Sequence, residues 1–119
     1  MYSDIVHEHV SRPRNVGPLE SATHQGTAGT PGDGPYMILW FEVADGTIRR
    51  AAYKTYGCPA AIASGSVTAV LLTGLPVEKA LLLNEQDILR VLGGLPEGKE
   101  HCAALSVAAM RAALTPTKE

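Results

Sequence analysis

An α+β fold, with helices packed on one face of a small antiparallel sheet, is predicted by three observations on this 119-residue chain. Strand-like segments come early and helical segments late. The dipeptide Asp45-Gly46 separates two β-rich runs, the signature of a type I′ hairpin turn. From Pro59 onward, small and apolar residues recur at intervals of three and four. At 45% hydrophobic and 18% charged residues, the composition fits one compact domain over residues 1–119 with its own core.

The elements follow in order. Ser3 is a suitable N-cap for a helix over Asp4 to Val10, with Ile5, Val6, His9 and Val10 near helical spacing and Pro13 ending it. Residues 18–35 are rich in Gly, Pro, Thr and Ser, which predicts a weak strand over His24 to Gly29 and then an exposed loop whose tip is "TPGDGP". "YMILWFEV" (36–43) is aromatic and β-branched, and it turns through Asp45-Gly46 into "IRRAAYKTY". Tyr36 and Trp40 therefore read as sheet or core residues. Pro59 suits the first position of a helix on which Ile62, Ser66, Ala69, Val70 and Thr73 recur, and Gly74 stops it. "PVEKALLL" and "NEQDILRVLGGL" read as two shorter helices, the second opened by Asn84 and closed by Gly93-Gly94. Ala103, Val107, Met110 and Leu114 form one stripe of a last helix that starts near His101 and ends before Pro116.

Charge and hydropathy exclude several functions. A formal net charge of -2 without a basic run offers no footprint for nucleic acid. No apolar stretch approaches the ~20 residues of a membrane span, and the acidic, His-containing N-terminus is unlike an export signal. The expected setting is soluble and cytoplasmic, where Cys58 and Cys102 remain free thiols.

Those two cysteines carry the chemistry. Cys58 precedes one predicted helix and His101-Cys102 begin another, so both thiols are expected at helix N-termini, where free N–H groups and the helix dipole favour a thiolate. His101 adds a nitrogen ligand and Asp33 a carboxylate, a set whose softness suits zinc or iron. The spacing contains no Cys-x-x-Cys, and the donors come from three distant segments. The residues alone leave two readings open: a metal site, or two buried cysteines beside a capping histidine.

Three strings add a resemblance. "YSDIVHEHVSRPRNVGPL", "DGTIRRAAYKTYGCPAAIASGS" and "LPEGKEHCAALSVAAMRAAL" resemble, in order and over nearly the whole chain, the U-type iron-sulfur cluster assembly scaffolds, the IscU and NifU N-terminal domain family of the SufE/NifU superfamily. The resemblance implies a three-stranded antiparallel sheet covered by helices. It further implies a protein that accepts sulfur from a cysteine desulfurase, binds iron, builds a [2Fe-2S] cluster and passes it to recipient apo-proteins. By position, Cys58 matches the family's middle cysteine, His101 its histidine and Cys102 its last cysteine, with Cys102 the expected persulfide acceptor. Lys99 matches a lysine close to the site in relatives, and as a nearby cation it is expected to steady a thiolate.

This chain departs from the pattern at two places. The first family loop reads like Pro-Ala-Cys-Gly-Asp, whereas residues 31–35 read "PGDGP", so Asp33 stands in the cysteine position and Pro35 in the aspartate position. A carboxylate holds an iron-sulfur cluster less firmly than a thiolate. The set Asp33, Cys58, His101 and Cys102 also suits tetrahedral zinc, and the alternative is a zinc-binding relative that accepts sulfur or regulates the desulfurase without building clusters. In "LPEGK", the Leu-Pro-Pro-Val-Lys of relatives served by a dedicated Hsp70-type chaperone is missing, so chaperone-assisted release is not expected. The resemblance implies a scaffold that supplies ligands and not an enzyme. His7, His9 and His24 read as surface or partly buried histidines, and Arg12 and Arg14 as residues that pin the first helix.

Overall fold

The protein is described by a computed structural model covering residues 3–12, 15–30, 32 and 34–115. Pro13, Arg14, Asp33 and Pro116, singled out above, lie outside the described residues. The elements run α1 (Asp4–Ser11), β1 (His24–Gly29), β2 (Tyr36–Ala44), β3 (Thr47–Tyr56), α2 (Pro59–Leu72), α3 (Val77–Ala80), α4 (Glu85–Leu92) and α5 (His101–Leu114). The three strands form one antiparallel meander in the order β1-β2-β3.

The predicted hairpin turn forms because Asp45 and Gly46 both adopt positive φ, 54° and 74°, matching the twist of the flanking strands. A bulge between Glu42 and Val43 then shifts the register, so that Tyr36 faces Tyr56 across β2 and β3. Period-two alternation sends Met37, Leu39 and Phe41 into the core, each fully buried and contributing ~1.5–3 kcal/mol. Tyr36, Ile38 and Trp40 lie half-buried on the opposite face. There residues 15–17 run along the outer edge of β3, with the Gly17 N–H donating to the Tyr53 carbonyl at 2.7 Å.

Helices cover the inner face. α5 lies on β1 so closely that a Cβ at Gly26 would come within 2.2 Å of the Ala109 carbonyl oxygen. Only glycine admits that approach of helix backbone to strand. α2 sits centrally, against β3, α5, α1 and α4, and its Gly65 meets the Tyr53 ring, which a Cβ would approach to 2.5 Å.

That central placement corrects the stripe predicted for α2. Val70 and Thr73 are exposed and Ile62 is half-buried, while burial wraps round the helix from Ala60 to Ala69. Its polar residues tolerate this because Ser64 and Thr68 donate to the carbonyls of Ala60 and Ser64, each at 2.7 Å. The helix read in "PVEKALLL" is a single turn, Val77–Ala80. The predicted caps do form: the Ser3 hydroxyl accepts from the Val6 N–H at 3.2 Å and donates to the Leu92 carbonyl, and Asn84 and Asp87 complete a capping box. On α5, Ala103, Val107, Met110 and Leu114 are all buried as expected. His9 Nδ1 lies 2.7 Å from the Ser66 Oγ, tying α1 to α2, and His24 meets the Thr23 hydroxyl at 2.8 Å. Among the described residues, no helix is long and apolar enough to cross a membrane.

Candidate functional site

The turn end of the β2-β3 hairpin and its open end differ in chemistry. At the turn, a broad surface hollow between Asp45, Gly46, Pro76 and Val77 holds no thiol or imidazole among its lining residues. At the open end, β3 finishes at Tyr56, and two residues later the chain enters α2 through Cys58. Cys58 occupies the N-cap, with extended backbone (φ -87°, ψ 175°), and Pro59 follows at the first helical position. Since proline has no N–H, the amides nearest the sulfur belong to Ala60 and Ala61, the second of which also donates to the Cys58 carbonyl at 2.9 Å.

α5 begins beside α2. The turn Pro96–Lys99, closed by the Lys99 N–H donating to the Pro96 carbonyl at 2.9 Å, delivers His101 and Cys102 to its first turn. The Sγ atoms of Cys58 and Cys102 stand 3.9 Å apart, and His101 Nε2 lies 3.7 Å from the Cys102 sulfur. Pro35, Gly57 and Lys99 join these three residues around a cleft of about 140 Å³. The sequence thus brings together Cys58, His101, Cys102 and Lys99 as expected. Asp33 lies outside the described residues, while its neighbour Pro35 lines the cleft.

The two thiols are not equivalent. Burial works against ionisation of Cys58, but the Ala61 and Ala60 amides, the Cys102 S–H and the Lys99 ammonium together outweigh it, so its pKa is lowered. No capping hydrogen bond of full geometry closes on the sulfur; the neighbouring donors act through their field. Cys102 is only 3% exposed and packs with Ala60 and Ala61 in a small apolar cluster apart from the main core. Burial, with the adjacent Cys58 thiolate and its hydrogen bond, pushes the Cys102 thiol up to about 12, against the opposing pull of Lys99. The expectation that both helix starts favour a thiolate is therefore corrected for Cys102. Its backbone N–H is already taken by the Lys99 carbonyl at 3.1 Å.

The spacing suits a tetrahedral ion. Two thiolates at ~2.3 Å from a metal, at the tetrahedral angle, stand ~3.8 Å apart, and the Cys58–Cys102 separation is 3.9 Å. An imidazole nitrogen and a thiolate on the same ion stand ~3.5 Å apart, and the His101–Cys102 separation is 3.7 Å. Each pair is thus at a separation that two ligands of one ion can have, but the three donors do not yet converge on one point. Among the described residues, no group of three or more His, Cys, Asp or Glu side chains is arranged to hold a metal ion. A closed site therefore needs His101 to turn inward or a donor from the segment 31–35.

One neighbouring feature was not anticipated from the sequence. The rings of Tyr36 and Tyr56 lie nearly parallel, 12° apart in plane with centroids at 6.3 Å, and together with Gly32 and Gly34 they border a second hollow at this end of the sheet. A two-residue turn at 45–46 alone would set Tyr36 opposite Thr55. The bulge supplies the extra residue that brings Tyr56 into register.

Comparison with known proteins bears on the family and the fold. The chain is 40% identical over 114 residues to the iron-sulfur cluster assembly scaffold protein IscU 1 of Archaeoglobus fulgidus, covering 96% of this chain and 74% of that one. It is 37% identical over 121 residues to the scaffold protein IscU of Escherichia coli K12, covering 98% and 94% respectively. Among solved structures, a protein of Fervidobacterium islandicum AW-1 described as a candidate scaffold for the SUF system superposes with a TM-score of 0.77 at 17% identity, over 96% of each chain. A NifU-like N-terminal domain from Brucella abortus gives 0.60 at 20% identity, over 92% of this chain and 76% of that one. These two likenesses concern the fold, a three-stranded sheet with helices on one face. Residues 1–118 match the NifU-like N terminal domain, and with the curated relatives above this places the chain in that family.

Proposed function

We propose that this protein is a scaffold for iron-sulfur cluster assembly. It takes sulfur from a cysteine desulfurase, binds iron with it as cargo, and hands a [2Fe-2S] cluster to recipient apo-proteins. The observation that carries the reading is the meeting of Cys58 and Cys102 from two helix starts, at the separation of two thiolate ligands of one ion, with His101 beside Cys102. Cys58, His101 and Cys102 are the proposed ligands, Asp33 supplies the remaining donor, and Lys99 offsets the negative charge of the thiolates. Of the two thiols, Cys58 is the more open and the readier to ionise, which favours it over Cys102 for first entry of sulfur. The protein supplies ligands and a protected cleft; the desulfurase breaks the carbon–sulfur bond. A reducing cytoplasm would keep both thiols available.

A second reading has its own support. With Asp33 and Pro35 where the family carries cysteine and aspartate, the chain offers two thiolates, a carboxylate and an imidazole, a donor set equally suited to one zinc ion. In that reading the protein accepts sulfur or regulates the desulfurase without building a cluster.

Native mass spectrometry of anaerobic protein separates them, before and after incubation with iron, cysteine and a desulfurase. The scaffold reading predicts a mass gain of two irons and two sulfides that disappears in Cys58→Ser. A single zinc that never exchanges for iron would contradict it and support the second.

A further inference from the structure

A persulfide carries sulfur two electrons above the sulfide that bridges irons in a cluster, so an acceptor must find those electrons before assembly. This chain has two cysteines in all, and both are in the cleft with their Sγ atoms 3.9 Å apart. A disulfide needs ~2.05 Å, so bond formation asks for a closing of roughly 2 Å between two side chains that already touch. Nothing stands between them: each is the other's sulfur neighbour, and the Cys102 thiol is held against Ala60 and Ala61, beneath Cys58 in the same apolar cluster. No third thiol in the chain competes.

We propose that the Cys58–Cys102 pair is a built-in persulfide reductase whose own two thiols are the immediate electron source for sulfide release; the inference rests on the sulfur-acceptor reading above. With the delivered sulfur on Cys58 as Cys58-Sγ-SH, the Cys102 thiol, which the cleft holds protonated, gives up its proton to the outer sulfur as its own sulfur attacks the Cys58 Sγ. The Cys58 Sγ–Cys102 Sγ bond forms and the bond from Cys58 Sγ to the outer sulfur breaks. That electron pair leaves with the outer sulfur, which takes the proton of the attacking thiol and departs as hydrogen sulfide. Overall, two thiols and one sulfane sulfur become one disulfide and one sulfide: the thiols are oxidised by two electrons and the delivered atom is reduced by two. Each turnover ends in a closed pair that cannot ligate metal, and an external dithiol must reopen it. Sulfide release and metal holding therefore alternate on the same two residues.

The test uses the full chain, oxygen-free and without added reductant, treated with a cysteine desulfurase and one equivalent of cysteine, followed by sulfide determination and intact mass. The expected wild-type result is one sulfide per chain and a protein lighter by about 2 Da, with a Cys58–Cys102 crosslink on non-reducing peptide mapping. Cys102→Ser and Cys102→Ala, the second chosen because the thiol sits among alanines, should instead retain about 32 Da on Cys58 and release no sulfide. Wild type that keeps the added sulfur without releasing sulfide would overturn the inference and leave the acceptor reading standing. Equal sulfide release from the Cys102 variants would also overturn it. Addition of sulfur to none of the proteins would overturn both.

Discussion

Helices α2 and α5 invite comparison. Both have fourteen residues, both begin at a cysteine or one residue from it, and both lean on the sheet through a glycine contact, yet their thiols are driven in opposite directions. Cys58 stands at the N-cap, ahead of the helix, where amides face it and water reaches it. Cys102 is the second helical residue, its own amide already paired and its sulfur sealed in an alanine cluster. A helix start favours an anion at the N-cap, which its first amides face, and desolvation wins two positions further in. The glycine contacts differ in the same spirit: α5 is held by backbone against backbone at Gly26, α2 by backbone against an aromatic ring at Gly65.

The largest expected effect breaks the α5 contact. In Gly26→Ala the new Cβ meets the Ala109 carbonyl at 2.2 Å and the Ala113 amide nitrogen at 2.3 Å, and neither can rotate away. Destabilisation should reach or exceed the upper end of the ~1–3 kcal/mol typical of overpacking, read as a fall in melting temperature on the order of 10 °C. Gly65→Ala meets a side chain, the buried Tyr53 ring, and not a backbone, so its cost should stay below that of Gly26→Ala, near ~1–2 kcal/mol. A larger loss in Gly65→Ala than in Gly26→Ala would reverse the assigned rigidity of the two contacts.

Part of this comparison was legible in the sequence. Asp45-Gly46 announced the hairpin, Asn84 the start of α4, and the spacing of Ala103, Val107, Met110 and Leu114 the buried stripe of α5, because each is a local rule in the chain. The burial of α2 on nearly every side was not, since it depends on which elements surround the helix. Ser64, Ser66 and Thr68 are polar, and their burial is explained only once their hydroxyls are turned to carbonyls or to a neighbouring helix. The meeting of Cys58 with His101 and Cys102 was legible only through resemblance, because forty-four residues separate the sulfurs in the chain. The opposite behaviour of the thiols was not legible, because burial is a tertiary property.

The next effects concern that opposition. A thiol whose pKa is raised on folding stays protonated where the unfolded chain has already released its proton. Metal-free protein should therefore lose the Cys102 contribution to stability as pH rises from 9.0 towards about 12, and keep it below that window. Urea unfolding across the window checks this: wild type should decline more steeply than Cys102→Ala, and parallel declines would contradict it. At near-neutral pH, iodoacetamide should label Cys58 first and Cys102 chiefly after unfolding.

The smallest effect belongs to Lys99, which lowers both thiols. Lys99→Met should slow alkylation of Cys58 at near-neutral pH by less than roughly tenfold, and Lys99→Arg should restore most of the rate. An unchanged rate in Lys99→Met would show that the amides of α2 and the Cys102 thiol suffice.

X-ray absorption of protein loaded with one equivalent of zinc tests most directly whether the two helix starts form one site. The geometry predicts two sulfur ligands at ~2.3 Å, with nitrogen or oxygen completing four-coordination, and one sulfur remaining in either single cysteine variant. A wild-type spectrum with one sulfur or none would show that Cys58 and Cys102 do not share an ion, and the scaffold reading would lose the observation it stands on.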